Sequence, residues 1–182
     1  MERTISTETL FKGRAVSLRV DTVEVSGGRR STREIVEHGD CVAIIAVDEG
    51  GDVLLVRQFR HAAERALLEI PAGGIDSGEQ PADCVRRELQ EETGYFPGRV
   101  ERLGGFYAAP GYCTEYLHLF LATDLKPSRL IAEDTDEIEV VRVSPEEAIR
   151  LIATGDICDA KSIAGLLTYY WKHVRPGQAR EP

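Results

Sequence analysis

The chain has 182 residues and a formal charge of −9 at pH 7, enough length for one domain with a full core. The acidic balance excludes a nucleic-acid polymer as partner, because phosphate backbones select basic surfaces; a nucleotide bridged to acids by a metal stays open. Cys41, Cys84, Cys113 and Cys158 are widely spaced without a CxxC pair, which argues against a zinc ribbon or a disulfide framework and sets the expectation of a reduced, cytoplasmic setting. Met1 to Leu10 is polar and no apolar run approaches spanning length, so neither a signal peptide nor a membrane segment is expected.

Residues 8 to 38 read as strands. Val16, Leu18 and Val20 alternate with polar residues, as do Val23 and Val25, before Ser26-Gly27-Gly28 turns the chain back through Thr32 to His38. This defines an N-terminal β arm over residues 1 to 39, whose apolar alternation needs a surface to cover it, on its own domain or on a partner subunit. The main domain is expected over residues 40 to 175. Cys41 to Val47 is a buried apolar strand, Glu49-Gly50-Gly51-Asp52 a hairpin turn, and Val53 to Phe59 the return strand. Leu67 to Ile70 leads into a glycine loop. A helix follows from Glu79 to Thr93, with Pro81 in its first turn, Gly94 just past its end, and Ala82, Val85 and Leu89 as its apolar stripe.

Val100 to Ala108 and Tyr116 to Ala122 read as a strand pair around the loop Ala109-Pro110-Gly111-Tyr112-Cys113-Thr114-Glu115. The acidic loop Glu133-Asp134-Thr135-Asp136-Glu137 leads into a strand from Ile138 to Val143. Ser144-Pro145-Glu146-Glu147 carries the signature of a capped helix start. A last helix is expected from about Ala160 to His173, with Ile163, Leu166, Leu167, Tyr170 and Trp171 in the core. The tail from Pro176 to Pro182 reads as disordered. The order is that of an α/β fold, a mixed β sheet sandwiched between helices.

The most specific signal lies between these elements: Gly73, five residues, Glu79, seven residues, then Arg87-Glu88-Leu89-Gln90-Glu91-Glu92-Thr93-Gly94-Tyr95. Glu88 and Glu92 are four apart, so they stand one turn apart on nearly the same helix face. Carboxylates that close repel unless something positive lies between them. A divalent cation resolves the conflict, and hard oxygen ligands suit Mg²⁺, with Mn²⁺ as the alternative. The bland reading is a solvated face on which Arg87 pairs with Glu91 at i+4. The flanking glycines and the segment Leu68-Glu69-Ile70-Pro71-Ala72-Gly73-Gly74 weigh against it.

This window resembles the Nudix box at every fixed position, and the likeness extends over roughly residues 40 to 172. It implies the Nudix fold and metal-dependent hydrolysis of a nucleoside diphosphate linked to another group. It further implies that Glu88 and Glu92 are metal ligands together with the main-chain carbonyl of Ala72, that Glu91 belongs to the same cluster, and that Arg87 orients the neighbouring acids. Pro110, sixteen residues past Gly94, resembles the ADP-ribose pyrophosphatases within the family, as do Glu69-Ile70-Pro71-Ala72-Gly73 and Arg57-Gln58-Phe59-Arg60. The likeness puts Arg60 on the substrate diphosphate, where a planar donor is apt. It makes Pro110 and Gly111 part of a substrate loop, with Glu115 near the ribose or the attacking water; read alone, Pro110-Gly111 is a turn.

Two departures stand out. Where relatives carry a glutamate that ligates metal or acts as base, this chain has Asp136, one methylene shorter, with Glu137 beside it as the substitute and Asp134 also near. The arm holds only Phe11 as an aromatic, so adenine stacking is expected to be weaker or to come from elsewhere. In the relatives such arms cross to the other subunit of a homodimer, which would turn Arg33 or Glu34 toward the partner's nucleotide. The expectation is a Mg²⁺-dependent hydrolase that splits ADP-ribose into AMP and ribose 5-phosphate. The rivals are the same chemistry on another nucleotide sugar such as GDP-mannose, and a domain that senses ADP-ribose without cleaving it; intact Glu88, Glu91 and Glu92 count against the sensor.

Overall fold

A computed structural model describes residues 2–131 and 137–175. Its contacts divide the chain into two compact units, one of residues 1–40 with 106–117, the other of residues 41–105 with 118–182. In the first, β1 (Arg3–Lys12), β2 (Ser17–Glu24) and β3 (Arg30–Glu37) form an antiparallel sheet in that order. β1 starts five residues before the sequence suggested a strand. All its side chains are exposed, so the apolar alternation that marks a half-buried strand is missing, and its Thr-rich, β-branched run is the remaining cue. Asp21 and Val23 of β2 are buried, and Thr7 Oγ1 donates to Asp21 Oδ1 at 2.8 Å.

The end of the arm holds the segment that follows Ala108. Val36 N donates to Tyr112 O at 2.7 Å and Thr114 N to Val36 O at 3.0 Å. Thr114 Oγ1 accepts from His38 N at 2.9 Å and donates to His38 O at 3.0 Å.

The second unit is built on a seven-stranded sheet in the order β10 (Glu139–Val143), β5 (Val53–Arg60), β4 (Cys41–Val47), β9 (Tyr116–Pro127), β8 (Tyr95–Tyr107), with β6 (Arg65–Glu69) beside β5 and β7 (Ala72–Gly74) beside β4. β4 and β5 pair where they meet, Ala46 with Leu54 and Val47 with Val53. Away from that end they diverge. Cys41–Ala43 pairs instead with β7, and Val56–Arg60 with β6. The returning chain fills the wedge, anchored by Ile44 N donating to Pro71 O at 2.9 Å. Every residue of β4 is buried, and its apolar composition on both faces is what a central, twice-covered strand requires.

Successive side chains of a strand point to opposite faces, and each face of β4 takes a helix. Val42, Ile44 and Ala46 pack with Cys84, Val85 and Leu89 of α1 (Pro81–Glu92), together with Leu54, Phe120, Ala122 and Leu125. Ile45 meets α3 (Ala160–Tyr169) at Gly165, where a Cβ would stand 2.9 Å from Ile70 Cδ1, 3.1 Å from Leu119 Cδ1 and 3.2 Å from Ile45 Cδ1. Between them in sequence, α2 (Pro145–Thr154) starts as its signature suggested, with Ser144 Oγ accepting from Glu147 N at 3.1 Å.

Two expectations need correction. Trp171 is 60% exposed, not core, and Tyr169 is the buried ring. The α-helix stops at Tyr169 and a π-helical turn over Tyr170–Val174 follows. The face that α3 buries runs through Ser162, Gly165, Leu166 and Tyr169, where small residues allow close packing. The apolar stripe of Ile163, Leu167, Tyr170 and Trp171 therefore lies off that face, and Trp171 points away from it. The indole is covered by the Arg175 guanidinium, 4.5 Å from the ring centroid. β8 also begins at Tyr95, earlier than expected, running through Pro97 and Gly98, which read as strand breakers. Asp134 and Asp136 lie outside the described residues, as does the tail from Pro176. No helix among the described residues is long and apolar enough to cross a membrane.

Gly165→Val is expected to lower stability by about 1–3 kcal/mol through overpacking between α3 and β4. Urea unfolding gives the comparison, and an unshifted midpoint would show that the helix can back away freely.

Candidate active site

The acids of the helix are organised by one arginine. Arg87 Nε and Nη2 donate to the two oxygens of Glu79, each at 2.9 Å, while Nη1 reaches Glu88 Oε1 at 2.6 Å and Glu91 Oε2 at 3.2 Å. Nη2 also donates to Gly74 O at 3.0 Å. The guanidinium fork therefore spans the start of the window, its middle and its loop, and a lysine has too few directed donors to do the same. Hydrogen bonding to Arg87 pulls the Glu79 carboxyl down to about 2. The Cys84 thiol lies beneath, donating to Gly74 O at 3.3 Å, and burial raises its pKa.

Glu88 and Glu92 are 9% and 8% exposed. Glu88 lies directly over Gly73: a Cβ there would stand 1.9 Å from Glu88 Cδ and 2.1 and 2.3 Å from its oxygens. The carboxylate occupies the space that any side chain would need, which explains the glycine. Glu92 Oε2 accepts from Ala72 N at 3.1 Å, so α1 and β7 bring both acids to the same three-residue strand. Burial raises the Glu88 pKa against the pull of Arg87. For Glu92 burial dominates as well; the Ala72 N–H opposes it, the charge on Glu88 adds to it, and the carboxyl is pushed up to about 8. Two nearly buried acids each resist ionisation, a conflict that a bound cation would relieve.

Arg60 ends β5 and lies against Glu69, the last residue of β6. Its Nε is 3.1 and 3.2 Å from the Glu69 oxygens and its Nη2 is 2.6 Å from Oε2. Glu69 is 2% exposed. Burial acts to raise its pKa, but Arg60 and Lys161 overcome this and hold it below the ordinary carboxylate value. Lys161 Nζ sits 2.6 Å from Glu69 Oε2 and 2.9 Å from Asp159 Oδ2. Buried Ser162 accepts from Ile70 N at 2.8 Å. The sequence reading missed Lys161, Asp159 and Ser162. Asp159 and Ser162 do carry a readable helix-start pattern, with Ser162 N donating to Asp159 Oδ2 at 3.1 Å, but their proximity to Glu69, 92 residues earlier than Lys161, has no local signal.

Pro110, Gly111, Glu115 and Arg33 are in the first unit. Pro110 and Gly111 are exposed in a turn whose Ala109 O accepts from Tyr112 N at 3.1 Å and Cys113 N at 2.9 Å. Glu115 Oε1 lies 3.9 Å from His38 Nδ1. Arg33 pairs with Glu2 and donates to Thr32 O at 2.7 Å. Glu137 is exposed in a turn.

Because the folded Glu79 carboxyl sits near 2, below its ordinary 4.5, its contribution is present above pH 4.5 and is lost as pH falls toward 2. Glu79→Gln is expected to cost about 1.5–3 kcal/mol at pH 7, the range for charged hydrogen bonds. The gap to the parent should narrow between pH 4.5 and pH 3, as read by denaturant unfolding; a gap constant with pH would mean that the charge on Glu79 is immaterial.

Comparison with known proteins agrees with this arrangement. The family model described as NUDIX domain matches residues 37–166. The chain is 41% identical over 163 residues to an ADP-ribose pyrophosphatase of Bacillus subtilis (strain 168), covering 88% of each. It is 40% identical over 164 residues to a methanol dehydrogenase activator of Bacillus methanolicus, covering 89% of each. A solved structure described as an ADP compounds hydrolase superposes with a TM-score of 0.88 over 98% of this chain and 97% of that one, at 23% identity, which supports the fold. With Gly73, Glu79, Arg87, Glu88, Glu91 and Glu92 gathered by one loop and one helix, the chain belongs to the Nudix hydrolase family.

Proposed function

We propose that this protein hydrolyses the diphosphate of ADP-ribose, giving AMP and ribose 5-phosphate. The observation that carries the reading is the pair of nearly buried acids, Glu88 over Gly73 and Glu92 at Ala72 N, with pKa values raised by burial. The ADP-ribose pyrophosphatase of Bacillus subtilis, alike over 88% of its length, supports the substrate. The donor set fits Mg²⁺ or Mn²⁺, held by Glu88, Glu92, Glu91 and the Ala72 carbonyl. Such an ion supplies charge neutralisation at the diphosphate and a more acidic water.

The chain's own groups do the rest. Arg87 holds Glu88 and Glu91 in place. The Ala72 N–H fixes one oxygen of Glu92. Arg60 spends Nε and Nη2 on Glu69, while Nη1 has no partner among the described residues and is assigned to a phosphate oxygen. The proton of the attacking water goes to a general base drawn from Glu115 or from the loop with Asp136 and Glu137. Pro110 and Gly111 are assigned to substrate contact. The cysteines Cys41, Cys84, Cys113 and Cys158 are free thiols, which suits a cytoplasmic setting.

Glu92→Gln is expected to lower kcat by about 10²–10⁴ while ADP-ribose still binds, since it removes a charge from the site. The check is a phosphatase-coupled phosphate assay across ADP-ribose, GDP-mannose and related nucleotide sugars. A parent protein that cleaves GDP-mannose faster than ADP-ribose would reassign the substrate; one that cleaves neither would leave only the sensor.

The arm is assigned to a homodimer. Ile5, Leu10, Phe11 and Val16 are exposed on it, apolar surface that a second copy would cover. Deleting residues 1–36 is expected to give a monomer with poor turnover, whereas light scattering that finds the intact protein monomeric at micromolar concentration and fully active would sink the assignment.

A further inference from the structure

Four charged groups meet where α3 touches β6: Glu69, Arg60, Lys161 and Asp159. Arg60 Nη2 and Lys161 Nζ both lie 2.6 Å from the same oxygen of Glu69, and Lys161 also holds Asp159 at 2.9 Å. The Lys161 side chain is 17% exposed and that of Glu69 2%. Asp159 is the N-cap of α3, so Lys161 stands in its first turn, where the helix dipole and the unpaired N–H groups disfavour a cation. Stability by itself would favour an acid there. Nor is Lys161 needed to fasten the helix to the wedge, because Ser162 Oγ already accepts from Ile70 N at 2.8 Å.

We propose that Lys161 is a positioning residue for phosphate recognition: by sharing the buried carboxylate of Glu69, it keeps Arg60 presented to the substrate diphosphate. The inference rests on the hydrolase reading above. A carboxylate facing Arg60 alone would cancel the guanidinium charge. With Lys161 on the same oxygen, part of the Glu69 charge is spent on the lysine, and the outward field of Arg60 survives. The lysine also fixes where that oxygen lies, so the fork of Nε and Nη2 has one orientation and Nη1 is left directed away from Glu69. Lys161 itself has two of its three donors engaged within the protein. Its charge also acts at Glu92, so an Arg60→Ala background separates the path through Glu69 and Arg60 from a direct effect on that acid.

Lys161→Met keeps most of the stem and removes the charge; Lys161→Gln serves if the first variant fails to fold. The expected result is a roughly tenfold rise in KM for ADP-ribose with kcat within about threefold, the signature of lost binding common to ground and transition states. Lys161→Arg should restore most of the affinity. In an Arg60→Ala background the lysine substitution should raise KM no further, because the two act on one path. An unchanged KM, a fall in kcat alone, or full additivity with Arg60→Ala would overturn the proposal.

Titration calorimetry with ADP gives a readout independent of turnover. Tenfold weaker ADP binding by Lys161→Met, in a protein that does not cleave ADP-ribose, would sustain the lysine's role and refute the hydrolase reading. Cleavage with equal KM in both proteins would do the reverse. A parent that binds neither ADP nor ADP-ribose would refute both.

Discussion

Carboxylates kept out of water at the junction of β7 and α1 are the constraint around which the second unit is built. A nearly buried acid is costly unless it is paired or neutralised. Here Glu79, Glu88, Glu91 and Glu92 crowd one helix and its loop, with Arg87 as the guanidinium shared by the first three. Glu92 has only the Ala72 N–H as its close partner among the described residues, and it is the acid raised to about 8. The site is thus left with a charge deficit on purpose. Neutralising it entirely within the protein would favour folding and remove the place where a cation can bind.

The wedge between β4 and β5 makes this crowding geometrically possible. Had the two strands paired along their whole length, the chain carrying Glu69 to Gly74 would lie outside the sheet, exposed to solvent. Instead β6 and β7 complete the sheet, Ile44 N ties the insert to β4 through Pro71 O, and Ile70 reaches into the close packing around Gly165. α1 and α3 then clasp the insert from either side, one delivering Glu88 and Glu92, the other Lys161 and Ser162. The rigidity a preorganised site needs comes from elements rather than loops.

Much of this was legible in the sequence because local rules and chemistry coincided. β4 read as buried from its unbroken apolar run, α2 from Ser144 and Pro145, and the acid cluster from spacing along one helix. Gly73 was legible as a fixed position of the window, but not that the Glu88 carboxylate fills the space a side chain there would need. Lys161 was illegible, since a partner 92 residues away leaves no mark on its neighbours. Trp171 was misread because the face α3 buries is marked by the small residues Ser162 and Gly165 with Leu166 and Tyr169, and a count of large apolar residues selects a neighbouring stripe. The start of β1 was placed five residues late because a fully exposed strand has no alternation to betray it, and Asp136 lies outside the described residues.

The bonds that join Val36 and His38 to Tyr112 and Thr114 carry a mechanical consequence. The loop with Pro110 and Gly111 is stitched to Val36 of β3 by main-chain bonds and to His38, just past the strand, by a threonine hydroxyl. It therefore cannot open by itself; to swing, it must either break four hydrogen bonds or take the end of the arm with it. Loop order and arm order share one equilibrium. Amide protons at Val36, His38 and Thr114 would then exchange with solvent at a common rate, and whatever quiets the loop slows exchange at the arm's root.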